Sequence, residues 1–139
     1  MSSSTVIVLT LFVAWSLLLL VLMELIRAKL VLTKEVPANG FSPDNANLSP
    51  FMQRLARAHA NCLEGLPIFG GLMLIAVVTS QTAVTDSLAY AFLAARLTQS
   101  VIHLVSVSAT AVTLRFIAFS VQMVIAIYWS YALLQSLLA

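Results

Sequence analysis

The chain has 139 residues, 61% of them hydrophobic, with seven Lys or Arg against five Asp or Glu. Charged residues make up 9%, where a water-exposed domain carries about 25%, so there is too little polar surface to cover a soluble globule and the chain reads as a membrane protein. The net charge of +2 rests on a handful of residues that bear on membrane orientation, which excludes nucleic acid as a partner, and Cys62 alone can form neither an internal disulfide nor a thiolate metal site.

A hydrocarbon core of about 30 Å takes roughly 20 helical residues to cross, so four crossings leave one modest loop and no room for a second domain. The first span covers about residues 5–28: Val6 to Ile26 is nearly all apolar, interrupted by Glu24 and closed by Arg27 and Lys29. The uncharged start and the lack of a small-residue cleavage site argue against a cleaved signal peptide. Residues 30–53 hold Pro37, Pro43 and Pro50 with Gly40, Asn39, Asn45 and Asn47, and form the one long loop. Ser49 and Pro50 make an N-cap and N1 pair that opens a second span, about 50–79, in which Pro67 frees the Leu63 carbonyl and predicts a kink.

Ser80 to Ser87 reads as a turn. The third span, about 87–106, is rich in alanine (Ala89, Ala91, Ala94, Ala95), and small residues let membrane helices approach closely. A tight connection leads to the fourth span, about 112–138, where Tyr128, Trp129 and Tyr131 predict an interfacial aromatic belt. The loop and its flanks carry Arg27, Lys29, Lys34, Arg54 and Arg57, whereas the N-terminus, the 80–87 turn and the C-terminus carry no basic residue. The expected architecture is therefore an all-α membrane protein, one domain over residues 1–139, folded as a four-transmembrane-helix bundle with both termini on the outer side.

Ionisable residues inside spans cost roughly 2.5 to 3.5 kcal/mol each at the helix centre, so each needs a partner or a wet cavity. Here they form stripes. Arg54, Arg57, Asn61 and Glu64 recur at steps of three and four on the second span, Arg96, Gln99 and His103 on the third, and Arg115 shares a face with Phe119 and Gln122 on the fourth. Glu24 and Arg27 lie one turn apart at the end of the first. Because the spans alternate in direction, all four stripes are expected at one level on the inner half of the membrane. The simplest reading of Glu64 and Arg96 is a neutralising ion pair between helices. Cys62 reads as a small packing residue, and no metal-ligand cluster is evident.

The segment Arg54 to Phe69, RLARAHANCLEGLPIF, resembles the signature of the MAPEG family, the membrane-associated proteins in eicosanoid and glutathione metabolism. The shared core is Arg57, Ala58, Asn61 and Glu64. ARLTQSVIHL, residues 95–104, resembles the second motif of that family with Arg96 as its arginine, and Arg115 in TLRFIAF resembles the arginine at the start of the last helix. The resemblance implies a homotrimer with glutathione as co-substrate, held between neighbouring subunits on the cytoplasmic side. It implies further that Arg27, Arg54, Arg57, Asn61, Glu64, Arg96, Gln99 and His103 bind the tripeptide, and that Arg115 is the catalytic residue, steadying the thiolate that attacks a lipophilic small molecule. Such a protein is multi-pass, in the plasma membrane of a bacterium or the endoplasmic reticulum of a eukaryote, in contact with membrane lipids. The sequence departs from the family pattern at Ala60, where glutathione-binding members often have arginine, at Gln99 for histidine, at His103 for tyrosine, and at Phe116 for a small polar residue.

Three functions compete on this reading. The first is a glutathione-dependent transferase or peroxidase. The second is a non-catalytic trimeric scaffold or lipid-binding module of the same fold. The third, a small proton-coupled transporter, wants a carboxylate deep in the first span, and the position of Glu24 beside Arg27 at the inner end argues against it.

Overall fold

A computed structural model describes residues 3–139, and every element in it is helical. α1 runs Ser4–Leu32, capped by Ser3, whose hydroxyl accepts from the Val6 N–H. Apolar residues surround this helix, so composition hides its inward face; the structure shows it as one stripe of Thr5, Val8, Phe12, Ser16, Leu19 and Met23. α2 spans Pro50–Gly65 with Ser49 as its N-cap, as the Ser-Pro pair predicts. A π-helical turn at Leu66–Gly70 and α3, Gly71–Val78, complete the second crossing. The disruption expected at Pro67 takes this form, because a prolyl nitrogen has no hydrogen to donate and a π turn accommodates the break within a continuous helix. α4 covers Thr82–Val105 and α5 covers Ala109–Leu138.

Four helices are long and apolar enough to cross a membrane. Two connections are shorter than expected. α4 begins at Thr82, so the 80–87 turn contracts to about three residues, and α5 begins at Ala109, capped by the Ser108 hydroxyl. The polar residues at the start of α4 remain helical because they have partners elsewhere. Asp86 accepts from the Thr5 N–H at 2.9 Å and the Thr5 hydroxyl at 2.6 Å, so α4 supplies a carboxylate to the N-terminus of α1. α1 extends to Leu32 rather than stopping near 28, and leaves the helix through Lys34 at φ 60°.

Thr5 meets Asp86, Ser136 bonds Gln81, and Arg54 bonds the end of α4, so the chain passes up and down four times. The start of α1 and the end of α5 lie at the end of the bundle that carries the 79–81 turn. The long loop and the 106–108 connection lie at the other. An aromatic cluster ties the four crossings together: Phe92 of α4 stacks within 5.6 Å of Phe12, 5.1 Å of Phe69 and 5.8 Å of Trp129. Trp129 is thus a core residue and no part of a belt, being 0% exposed against 49% for Tyr128 and 61% for Tyr131. Leu17, Val78 and Val124 point outward, the lipid-facing exterior expected of such a bundle.

Candidate functional site

Of the second-span stripe, Asn61 turns into the bundle. Its Oδ1 accepts from Arg96 Nη1 at 2.6 Å and from Gln99 Nε2 at 3.1 Å, both on α4. Gln99 Oε1 accepts in turn from Gln122 Nε2 of α5 at 2.7 Å, and the same nitrogen bonds the Ala118 carbonyl at 3.2 Å. Arg96 is 0% exposed. Its guanidinium lies over the rings of Phe12 at 5.4 Å and Phe69 at 5.7 Å, which offers a buried cation some stabilisation, while Nε and Nη2 have no partner among the described residues.

The ion pair expected between Glu64 and Arg96 does not form. The only salt bridge among the described residues joins Arg27 to Glu24 at 3.4 Å. Helix geometry explains the difference. The row of α2 that faces inward is Ala58, Asn61, Cys62 and Gly65, and Glu64 is rotated about 100° from Gly65 toward the exposed side. Gly65 occupies the place beside the guanidinium: a Cβ there would stand 2.8 Å from Arg96 Nη2. Cys62 packs on α4, its sulfur 3.4 Å from the Ser100 hydroxyl.

A cavity of about 490 Å³ lies between the second crossing and α5. Asn61 and Glu64 form its polar end, and Phe69, Phe119, Met123 and Ile127 contribute to its apolar walls. Among the site residues expected from the sequence, the structure therefore brings Asn61, Arg96 and Gln99 into one network and sets Glu64 on the cavity beside it.

The remaining residues lie outside this hydrogen-bond network. Arg54 donates to the Leu104 carbonyl at 2.8 Å, binding an orphan acceptor in the last turn of α4. Arg57 is exposed. His103 is buried with Nδ1 unpartnered, and Arg115 is half-buried with Nε unpartnered. Arg27 is committed to the long loop: its Nε and Nη2 reach Asn45 Oδ1 at 3.1 and 2.5 Å, Nη2 reaches the Ser42 carbonyl at 3.2 Å, and the guanidinium lies over Phe41 at 5.3 Å. Asn45 is buried at φ 57° and passes the link on to the Met52 carbonyl at 2.8 Å. In the adjacent turn the Ser42 hydroxyl and the Ala46 N–H hold the Asp44 carboxyl below its ordinary range.

Sequence reasoning missed Gly65 and Asn45. Asparagine tolerates positive φ better than most residues, so the Asn-rich loop carried a signal for Asn45. Nothing local marked Gly65, because its role depends on a guanidinium from another helix. No curated protein and no solved structure matches the chain significantly. The model of the MAPEG family matches residues 5–135, nearly the whole length. With four membrane-length helices and the Asn61 and Arg96 motifs joined in one network, the chain belongs to the MAPEG family.

Proposed function

We propose that the protein is a glutathione-dependent transferase or peroxidase that directs the glutathione thiolate at lipophilic electrophiles. The observation that carries this reading is a cavity with Asn61 and Glu64, backed by the buried Arg96, at one end, and walls that are apolar apart from Ser130 and open to substrates from the bilayer. The assembly proposed is a homotrimer with the tripeptide between subunits and both chain ends on the outer side. A free thiol titrates near 8.5, so at neutral pH most of it is protonated, and a fixed guanidinium beside it favours the ionised nucleophile. Arg115 is given that role: it stands at the loop end of α5, and its Nε has no partner among the described residues. Arg57 is exposed at the same end and is available for a carboxylate.

The alternative, a non-catalytic scaffold or lipid-binding module, is favoured by a different observation. Arg27, Arg54 and Gln99 are already engaged within the chain, and Ala60 supplies no cation. Calorimetric titration of the detergent-purified protein with glutathione separates the two. Binding with an ultraviolet thiolate band, lost in Arg115→Gln while binding persists, supports the enzyme; neither signal in the wild type leaves the scaffold.

A further inference from the structure

The network at Asn61 has a direction. A guanidinium only donates, and a backbone carbonyl only accepts. Arg96 and the Ala118 carbonyl are the two ends of the chain of bonds, and between them stand three side-chain amides, each with a donating and an accepting end. Both termini force the same arrangement. Asn61 must turn its oxygen to Arg96 Nη1; Gln99 must then turn its nitrogen to that oxygen, which leaves its own oxygen for Gln122; and Gln122 must offer its nitrogen, which the Ala118 carbonyl also requires. Reversing any single amide sets donor against donor or acceptor against acceptor. Amide orientation, ordinarily a matter of assignment, is here fixed by chemistry.

The consequence falls on the far side of Asn61. Its oxygen is occupied by two donors inside the bundle, so the NH2 group is the part of the side chain left to the cavity that Asn61 lines. We propose that Gln99 and Gln122 are positioning residues, an amide relay from α5 through α4 to α2 that holds the Asn61 NH2 toward the cavity as a hydrogen-bond donor. The polar end of the cavity then takes an acceptor of its ligand, a carboxylate or carbonyl oxygen, while Glu64 alongside offers the complementary acceptor for a ligand N–H. Gln122 touches no ligand, being 0% exposed, and acts only through Gln99 and Asn61. From the proposed function this takes only that the cavity receives a ligand; the relay does not depend on that ligand being glutathione.

Side-chain amide hydrogen exchange, read by NMR on protein labelled with nitrogen-15 at Asn and Gln in detergent, tests the relay without any ligand. The expected result is exchange at least tenfold slower at the Gln99 and Gln122 amides than at the Asn61 amide. In Gln122→Met, and equally in Gln122→Leu, neither of which has a donor, the Gln99 amide should lose that protection. A protected Asn61 amide with a freely exchanging Gln99 overturns the proposal. Glutathione titration forms the second arm. Asn61→Asp keeps an acceptor toward Arg96 and Gln99, so its melting temperature should not fall, but it faces the cavity with an acceptor and should weaken glutathione binding at least 30-fold. Wild-type affinity in Asn61→Asp overturns the donor role. If the wild type shows the expected exchange pattern and binds no glutathione, the proposed function fails and the relay stands.

Discussion

Gly65→Ala and Gly71→Ala form a matched test of the buried arginine. Both glycines are helical residues of the second crossing, and replacing glycine by alanine in a helix ordinarily gains about 1 kcal/mol. At Gly71 a new Cβ meets nothing within 4 Å, so most of that gain should be realised. At Gly65 the Cβ would lie 2.8 Å from Arg96 Nη2, and 3.2 and 3.3 Å from two Phe69 ring carbons, roughly 0.7 Å inside ordinary contact. The guanidinium cannot swing away freely, because Nη1 is bonded to Asn61 at 2.6 Å and two aromatic rings flank it. Moving it by that amount stretches a charge-assisted bond worth about 1.5 to 3 kcal/mol, to which overpacking adds about 1 to 3 kcal/mol. After the propensity gain the net loss is about 1.5 to 5 kcal/mol. Thermal unfolding in one detergent, followed by circular dichroism, should place Gly65→Ala below and Gly71→Ala above the wild type. Equal stabilisation by both would refute the placement of Arg96 against Gly65.

Three further outcomes follow from the same geometry. Glu64→Gln should leave thermal stability within about 0.5 kcal/mol of the wild type, since Glu64 is exposed and unpaired; a loss of about 3 kcal/mol or more in unfolding experiments would mean it neutralises a buried cation after all. Arg27→Met should release the long loop, read as faster backbone hydrogen exchange at Ser42 to Leu48 with the spans unchanged, and undiminished protection there would remove Arg27 from its role as the loop anchor. Cysteines placed at the exposed positions Ala46 and Gln135 in a Cys62→Ala background should react with impermeant reagents from opposite sides, Ala46 from the cytoplasm; labelling from one side only would refute the up-and-down path. Asn45 is unsuitable for such labelling because its buried side chain holds Arg27 and Met52 together.

Much of this molecule was legible before any coordinates. The number of crossings follows from hydropathy and length, which are local and additive along the chain, and the Ser-Pro pair at 49 and 50 marks a helix start for reasons contained in two residues. The stripes of polar residues were equally visible, since helical spacing alone puts Asn61 and Glu64 on related faces and Arg96 with Gln99. Where the reading stopped short, a neighbour was involved. Asp86 and Thr85 look like turn residues until Thr5, some eighty positions away, is seen to bond them and keep them helical.

The pairing of Arg96 belongs wholly to the tertiary structure. Spacing sets which residues share a face, but it leaves free the rotation of each helix about its own axis, and about 100° of rotation separates Glu64 from Gly65. Only packing decides that the guanidinium meets a glycine, an asparagine and two aromatic rings rather than a carboxylate. Trp129 follows the same logic. Its neighbours Tyr128 and Tyr131 stay exposed while it turns inward onto Phe92, a difference of one residue along the helix that hydropathy cannot resolve. The sequence by itself determined that this chain has four segments long and apolar enough to cross a membrane, and which polar groups those segments contain, because those follow from the free energy of each residue in lipid. The tertiary structure decided which of those groups meet, because that depends on the rotation and register of helices far apart in the chain.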